Sequence, residues 1–212
     1  MYNFIEQGIR GGMSFIGHRY SKANNKYMKD YDINKPSKYI MYYDANNLYG
    51  WSMIQNLAIG NYKWENVNEW NQERIMNIDT NNETGYIFEV DLEYPKELHD
   101  IHNHYPLCPE RKLVISDWLS DYQKSLKEKL KIKDDSVEKL ITDLSDKYNY
   151  RTHYRNLQLY LKLGLRLKKI NKVLAFTQKP LLKDYITSNS LLRQKAKANK
   201  DDFGANILQD QK

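Results

Sequence analysis

Apolar and polar residues alternate from Tyr86 to Tyr94, where Ile87, Phe88, Val90 and Leu92 interleave with Glu89, Asp91 and Glu93. A period of two predicts a half-buried strand. Upstream, the apolar-aromatic run Tyr39 to Tyr43 predicts a strand ending at Asp44, and Leu48 to Ile54 a short helix. Farther along, Trp118, Leu119, Tyr122, Leu126 and Leu130 recur at three- and four-residue spacings, so Ser116 to Lys131 reads as a helix. Asp135 to Tyr148 reads as a second, capped by Asp135 with Glu138 and buried along Val137, Leu140, Ile141 and Leu144. A third runs from Thr152 to Leu163 and stops at Gly164. Leu165 to Phe176 reads as a strand or strand pair. Pro180 opens a short helix, and a basic helix follows from Ser190.

Between these elements the pattern is polar. Residues 21 to 37 read as a loop, and residues 60 to 84 as irregular surface with Trp64 and Trp70 as islands. Residues 1 to 20 begin apolar and aromatic, then pass through Gly8-Ile9-Arg10-Gly11-Gly12. Strands and helices mixed in this order predict an α+β class.

Composition adds little to the fold and more to the partners. The 212 residues hold one large domain or two small ones. With 33 basic and 27 acidic side chains the net charge is +6, a mild bias toward a polyanion that many ordinary soluble proteins share. The basic residues are dense from Asn149 onward, whereas Asn77 to Asp100 is acidic. Cys108 is the single cysteine, so no intrachain disulfide forms, and an intracellular, reducing compartment is expected. No stretch approaches the about 20 apolar residues of a membrane span, and the first residues lack the pattern of a signal peptide. The 18 tyrosines suit stacking on bases and sugars as well as core packing.

Four constellations carry candidate chemistry. In Tyr39-Ile-Met-Tyr-Tyr-Asp44-Ala-Asn-Asn-Leu-Tyr49-Gly50 an aromatic strand delivers one carboxylate to a turn. Magnesium takes oxygen ligands and keeps several waters, so one or two carboxylates with substrate phosphates suffice to hold it. A lone acid at a strand end is also common in proteins without catalytic use. Arg10-Gly11-Gly12 lets backbone approach backbone or phosphate, or is a plain turn. The helix bearing Arg193, Lys195, Lys197 and Lys200 presents basic side chains, Arg193 and Lys197 one turn apart, or is a solvated face. His99, His102, His104 and Cys108 hold zinc ligands at an unfamiliar spacing, or sit in a loop pinned by Pro95, Pro106 and Pro109.

The first constellation resembles motif A of the family B DNA polymerases, Asp-x-x-Ser-Leu-Tyr-Pro. Asp44, Leu48 and Tyr49 match; Asn47 replaces the serine and Gly50 the proline. Ile9-Arg10-Gly11-Gly12 is similar to the Tyr-x-Gly-Gly motif of the protein-primed members, with Ile9 in place of tyrosine. Tyr94-Pro-Lys-Glu-Leu-His99, His153-Tyr-Arg-Asn-Leu157 and Leu163-Gly-Leu165 follow in the order found in polymerases of Maverick/Polinton transposons, so the resemblance spans essentially the whole chain.

The resemblance implies a fragment of a DNA-directed DNA polymerase that serves a mobile element, virus or plasmid. Residues 1–109 would form the first part of a palm whose sheet carries Asp44, residues 110–178 an inserted helical region, and residues 179–212 the start of the fingers. It also implies a two-metal magnesium site, with Asp44 and the backbone carbonyl of Ala45 as ligands and the second carboxylate outside this chain. Leu48, Tyr49, Arg193, Lys197 and Lys212 would bind nucleotide, Lys212 at the position of the motif B lysine. Arg10, Gly11 and Gly12 would contact DNA. Template-primer and deoxynucleoside triphosphates are the implied partners, a terminal protein is left open, and no membrane is involved. The Tyr-x-Asp-Thr-Asp of motif C does not occur in these residues. A non-catalytic nucleic-acid-binding remnant and a zinc-stabilised domain remain the rival readings.

Overall fold

The computed structural model describes residues 1–18, 20–132, 138–201 and 204. Along the chain, α1 is Tyr2–Glu6, α2 is Leu48–Met53, β1 is Leu57–Trp64, α3 is Gln72–Met76 and β2 is Thr84–Glu93. Then come α4 (His99–His102), β3 (Glu110–Lys112), α5 (Asp121–Lys129), β4 (Lys139–Ile141) and β5 (Lys147–His153). The last elements are α6 (Tyr154–Lys162), β6 (Arg166–Lys179) and α7 (Lys183–Ala198). The class is mixed α+β, with an antiparallel sheet in the order β1-β6-β2-β5 and a small β3-β4 sheet.

The chain forms two compact units, each built from separated stretches. The first comprises residues 1–19, 66–76 and 87–173; the second comprises residues 20–65, 77–86 and 174–212. In the first unit, Ile87 to Leu92 pair antiparallel with β5, from Ile87 opposite His153 to Leu92 opposite Lys147. Phe88, Val90 and Leu92 are buried, as the alternation predicts. Trp70, Tyr150, Tyr154 and Leu157 are buried in the same unit, and Tyr150 stands opposite Val90. Trp70 meets Phe88 edge-on with ring centroids 5.1 Å apart, and Arg74 lies over the Trp70 indole at 4.0 Å. Trp70 is therefore core, not a surface island.

Helix α6 follows the predicted helix closely. His153 accepts the Arg155 N–H at its start. Gly164, at φ 103°, turns the chain at its end, where the Leu165 N–H reaches the Tyr160 carbonyl. A Cβ there would meet the Leu98 side chain at 3.0 Å, and the positive φ alone disfavours one. Buried Gln158 donates to the Ile75 carbonyl at 2.9 Å and so ties α6 to α3.

Two predicted helices differ in this unit. The helix predicted over 135–148 is not helical in its described part: β4 pairs with β3, irregular chain follows, and β5 begins at Lys147. Leu140, Ile141 and Leu144 satisfy a helical stripe and a strand equally, and pairing with Glu110–Lys112 decides between them. Asp135, its supposed cap, and Val137 lie outside the described residues. The helix predicted over 116–131 is shorter, because Ser120 interrupts it and caps α5 through a reciprocal box with Gln123. Lys147, at the start of β5, is a lysine with 1% side-chain exposure. Its Nζ contacts Asp143 Oδ1 at 2.5 Å and Glu110 Oε2 at 3.1 Å. Lys112 shares both carboxylates at 2.8 Å each.

In the second unit β1 pairs antiparallel with residues 174–179 of β6, with bulges after Ala58 and Gly60. The Gln178 N–H donates to the Glu83 carbonyl at 2.8 Å, and Gln178 Nε2 to the Asn82 carbonyl at 2.7 Å. Gly85 is required here: a Cβ would lie 2.4 Å from the Phe176 ring. The loop before Tyr39 is organised by Asn24, which donates to the carbonyls of Asp32, Lys35 and Pro36 and bridges to Lys38. The short helix predicted at Pro180 and the basic helix predicted from Ser190 are one continuous helix, α7.

The strand predicted over Tyr39 to Tyr43 is absent. These residues form irregular chain, and Asp44 lies on neither sheet. The β-forming side chains are present, but no described strand pairs with them. A strand is stable only when its backbone groups find partners.

Candidate functional site

The candidate nucleotide site lies in the second unit. Tyr39 to Asp44 are all exposed, Tyr42 at 92% and Tyr43 at 79%. Asp44 and Ala45 end this segment and the chain turns at Asn46 and Asn47. Asn47 adopts the left-handed conformation, φ 54° and ψ 45°, which asparagine tolerates better than serine. That turn aims the chain into α2, and the Trp51 N–H closes it on the Asn47 carbonyl at 2.9 Å.

Gly50 is the single buried residue of α2. The Asn47 amide folds over it, and a Cβ at Gly50 would stand 2.3 Å from Asn47 Nδ2. Asn47 and Gly50, the two departures from the motif A pattern, thus compensate each other. Tyr49 stands 84% exposed and Leu48 55% exposed on the same short helix.

Helix α2 packs against α7. The structure therefore sets the helix that carries Leu48 and Tyr49 against the helix that carries Arg193 and Lys197. Lys197 is exposed and Arg193 half-buried, one turn away. Sequence spacing gave no sign of this contact, since well over a hundred residues separate the two helices. Trp51, exposed on α2, is a further aromatic group that the motif comparison passed over. Lys212 lies outside the described residues.

Arg10, Gly11 and Gly12 belong to the first unit. The Arg10 guanidinium stacks 4.0 Å above the Tyr150 ring. Its Nη1 donates to the carbonyls of Arg151 at 2.7 Å and Gly8 at 3.0 Å. It lines an open cavity of about 560 Å³ together with Glu6, Glu110, Arg111, Glu138 and Arg151. Gly11 and Gly12 are exposed, and a Cβ at either meets nothing within 4 Å, so no protein contact requires glycine there.

The histidine-rich loop is committed to structure. The Tyr94 hydroxyl hydrogen-bonds His102 Nδ1 at 2.8 Å and accepts the Leu107 N–H at 3.2 Å. His104 Nδ1 bonds the Gly17 carbonyl at 2.9 Å, and its ring meets His18 edge-on. Cys108 is fully buried, and burial pushes its thiol well above the usual range, which removes it as a ready metal ligand. Among the described residues no three His, Cys, Asp or Glu side chains gather as a metal-ligand set.

Comparison of the chain with protein-family profiles, with curated proteins and with solved structures finds no match.

Proposed function

We propose that this chain is part of a family B DNA polymerase of the protein-primed kind, and that its second unit binds the magnesium complex of a deoxynucleoside triphosphate. One observation carries this reading: Asp44 ends an aromatic segment and leads by a tight turn into α2, the helix that bears exposed Tyr49 and packs against the basic helix α7. In the polymerase setting the segment before Asp44 is a palm strand. An exposed carboxylate followed by an unengaged Ala45 carbonyl, among the described residues, fits one arm of a magnesium site. Bound there, magnesium neutralises phosphate charge and supplies Lewis acidity.

The residues of the chain divide the remaining work. Asp44 and the Ala45 carbonyl hold the cation. Lys197 and Arg193 face the triphosphate from α7 as cationic partners that need no metal. Tyr49 presents a flat ring to the sugar, where a 2′-hydroxyl meets it edge to face. Arg10 orders the β5 end of the first unit, where template phosphates approach its cavity. Phosphoryl transfer needs a second carboxylate for its second metal, so residues 1–212 bind without polymerising.

The test is calorimetric titration of residues 1–212 with a deoxynucleoside triphosphate, with and without magnesium. Magnesium-dependent binding, abolished by Asp44→Ala, is the expected result, and Tyr49→Ala erases discrimination against the ribonucleotide. Metal-independent binding that survives Asp44→Ala refutes the site. Primer extension by the same residues refutes its incompleteness. The basic face of α7 favours one rival, a metal-free nucleic-acid-binding protein. It predicts salt-sensitive DNA binding that Asp44→Ala leaves intact, with no triphosphate binding.

A further inference from the structure

The stretch Lys38 to Asp44 is a strand sequence without a strand partner. Tyr39, Ile40, Met41, Tyr42 and Tyr43 are all at least 54% exposed. No backbone hydrogen bond involves Tyr39 through Asp44 among the described residues. Every residue of the stretch keeps φ negative, the half of the map that contains the extended region. At its start, Lys38 exchanges two backbone hydrogen bonds with Asn24, at 2.7 and 2.9 Å.

That one bridge sets the phase. In an antiparallel ladder a residue turns both backbone groups to one side, and the next residue turns both to the other. With Lys38 facing Asn24, Ile40 and Tyr42 face the same side, and Tyr39, Met41 and Tyr43 present the free edge. A strand that adds to that edge pairs its backbone with those three residues.

The sequence around Met41 is self-complementary. Folded antiparallel against a copy of itself about Met41, the stretch sets Tyr39 opposite Tyr43, Ile40 opposite Tyr42 and Lys38 opposite Asp44. The hydrogen-bonded pairs are then Met41 with Met41 and Tyr39 with Tyr43, on the edge left free. Lys38 and Asp44 form a non-hydrogen-bonded pair, whose Cα atoms approach to about 4.5 Å and whose side chains lie closest. A two-fold axis supplies that ion pair twice. The geometry points to a second copy of this chain as the occupant: two molecules pair through Tyr39–Tyr43 in an isologous, two-stranded ribbon.

Charge selects this occupant. An arbitrary apolar strand leaves Lys38 and Asp44 without counterparts, and a nucleic acid strand is repelled by Asp44. The pairing is isologous and uses the same edge of both molecules, so that edge is consumed in a closed dimer. One consequence rests on the proposed function. Asp44 cannot serve Lys38 of a second copy and a magnesium ion at once, so pairing and magnesium-nucleotide binding exclude each other.

The experiment is sedimentation of residues 1–212 over a concentration series. The wild-type chain is expected to double its mass reversibly. Lys38→Glu and Asp44→Lys each set like charges opposite one another twice, and each weakens the dimer by about tenfold or more. The double variant Lys38→Glu/Asp44→Lys exchanges the charges and restores it. Met41→Pro removes the central donor without touching either sheet, and it abolishes the dimer. A monomer at every concentration overturns the inference, as does a dimer indifferent to Lys38→Glu or a double variant that fails to recover. Oligonucleotide binding that requires Tyr42 in a strictly monomeric chain overturns it too, in favour of nucleic acid. Magnesium with nucleotide is expected to shift wild type toward monomer. If the charge exchange succeeds and this shift is absent, the dimer stands and the metal role of Asp44 falls.

Discussion

Replacing Lys147 with methionine is expected to destabilise the protein by about 2–3 kcal/mol at neutral pH. Breaking one partner of a fully buried ion pair costs about 3–5 kcal/mol, because the orphaned charge stays out of water. The lysine has 1% side-chain exposure, but Glu110 and Asp143 keep 18% and 28% of theirs. Water reaches both carboxylates and Lys112 still bridges them, which places the cost at the lower end. Methionine matches the lysine stem in length, so the loss is one of charge rather than volume. The pH dependence is the sharper signature. Burial pushes the Asp143 carboxyl up, but hydrogen bonds from Lys112, Lys147 and Ser145 outweigh it and hold the group well below the usual carboxylate range. A depressed carboxyl stabilises the fold above its unfolded value of 3.8, and that contribution is lost as pH falls below it. The variant, with a less depressed Asp143, has less to lose. The gap between wild type and variant, measured by urea unfolding, therefore holds from pH 7 to about pH 4 and narrows only as pH falls well below 3.8. A difference under about 1 kcal/mol at pH 7, or a gap that persists unchanged in acid, refutes the account of the cluster.

Other expectations follow from the same unit and its neighbour. Burial, helped by Arg155, lowers His153 from 6.5 to about 4, so the unfolded chain binds the extra proton and stability falls as pH drops through that window, by on the order of 1–2 kcal/mol. His153→Asn keeps the helix cap and should flatten that slope in thermal scans between pH 7 and pH 4. Gly85→Ala drives a methyl into Phe176 and costs about 1–3 kcal/mol by chemical denaturation; a neutral result refutes the tight packing there. Gln158→Leu leaves the Ile75 carbonyl without its donor and lowers stability by about 1–3 kcal/mol. Unchanged hydrogen-exchange protection around α3 in that variant contradicts the tie.

The parts of the fold that the sequence announced are those in which local pattern and long-range pairing agree. The alternation through Ile87 to Leu92 became β2, and the Gly164 stop became the end of α6. Where the local pattern admits two answers, the partner strand decided. Leu140 and Ile141 joined β3, and Trp70 entered the core through Phe88, across a stretch with no periodicity of its own. In the candidate site, Asp44, Leu48 and Tyr49 were singled out by the resemblance to motif A. Three features were not legible: the packing of α2 on α7, the closing of Asn47 over Gly50, and the lack of a partner for Tyr39 to Tyr43. Each depends on residues brought together only by folding, or on a strand that the described residues do not supply.

Each unit is stitched from three separated stretches, and this bears on the order in which the molecule can be made. On the ribosome β1 emerges well over a hundred residues before residues 174–179 of β6, its antiparallel partner. At a synthesis rate of about 5–20 residues per second, β1 waits several seconds with its edge open. The first unit likewise cannot close β2 on β5 until His153 is out. Each unit thus closes only late in the synthesis of these residues. Neither unit can be expressed as one uninterrupted segment, so dissecting the molecule calls for point substitutions or circular permutation rather than truncation.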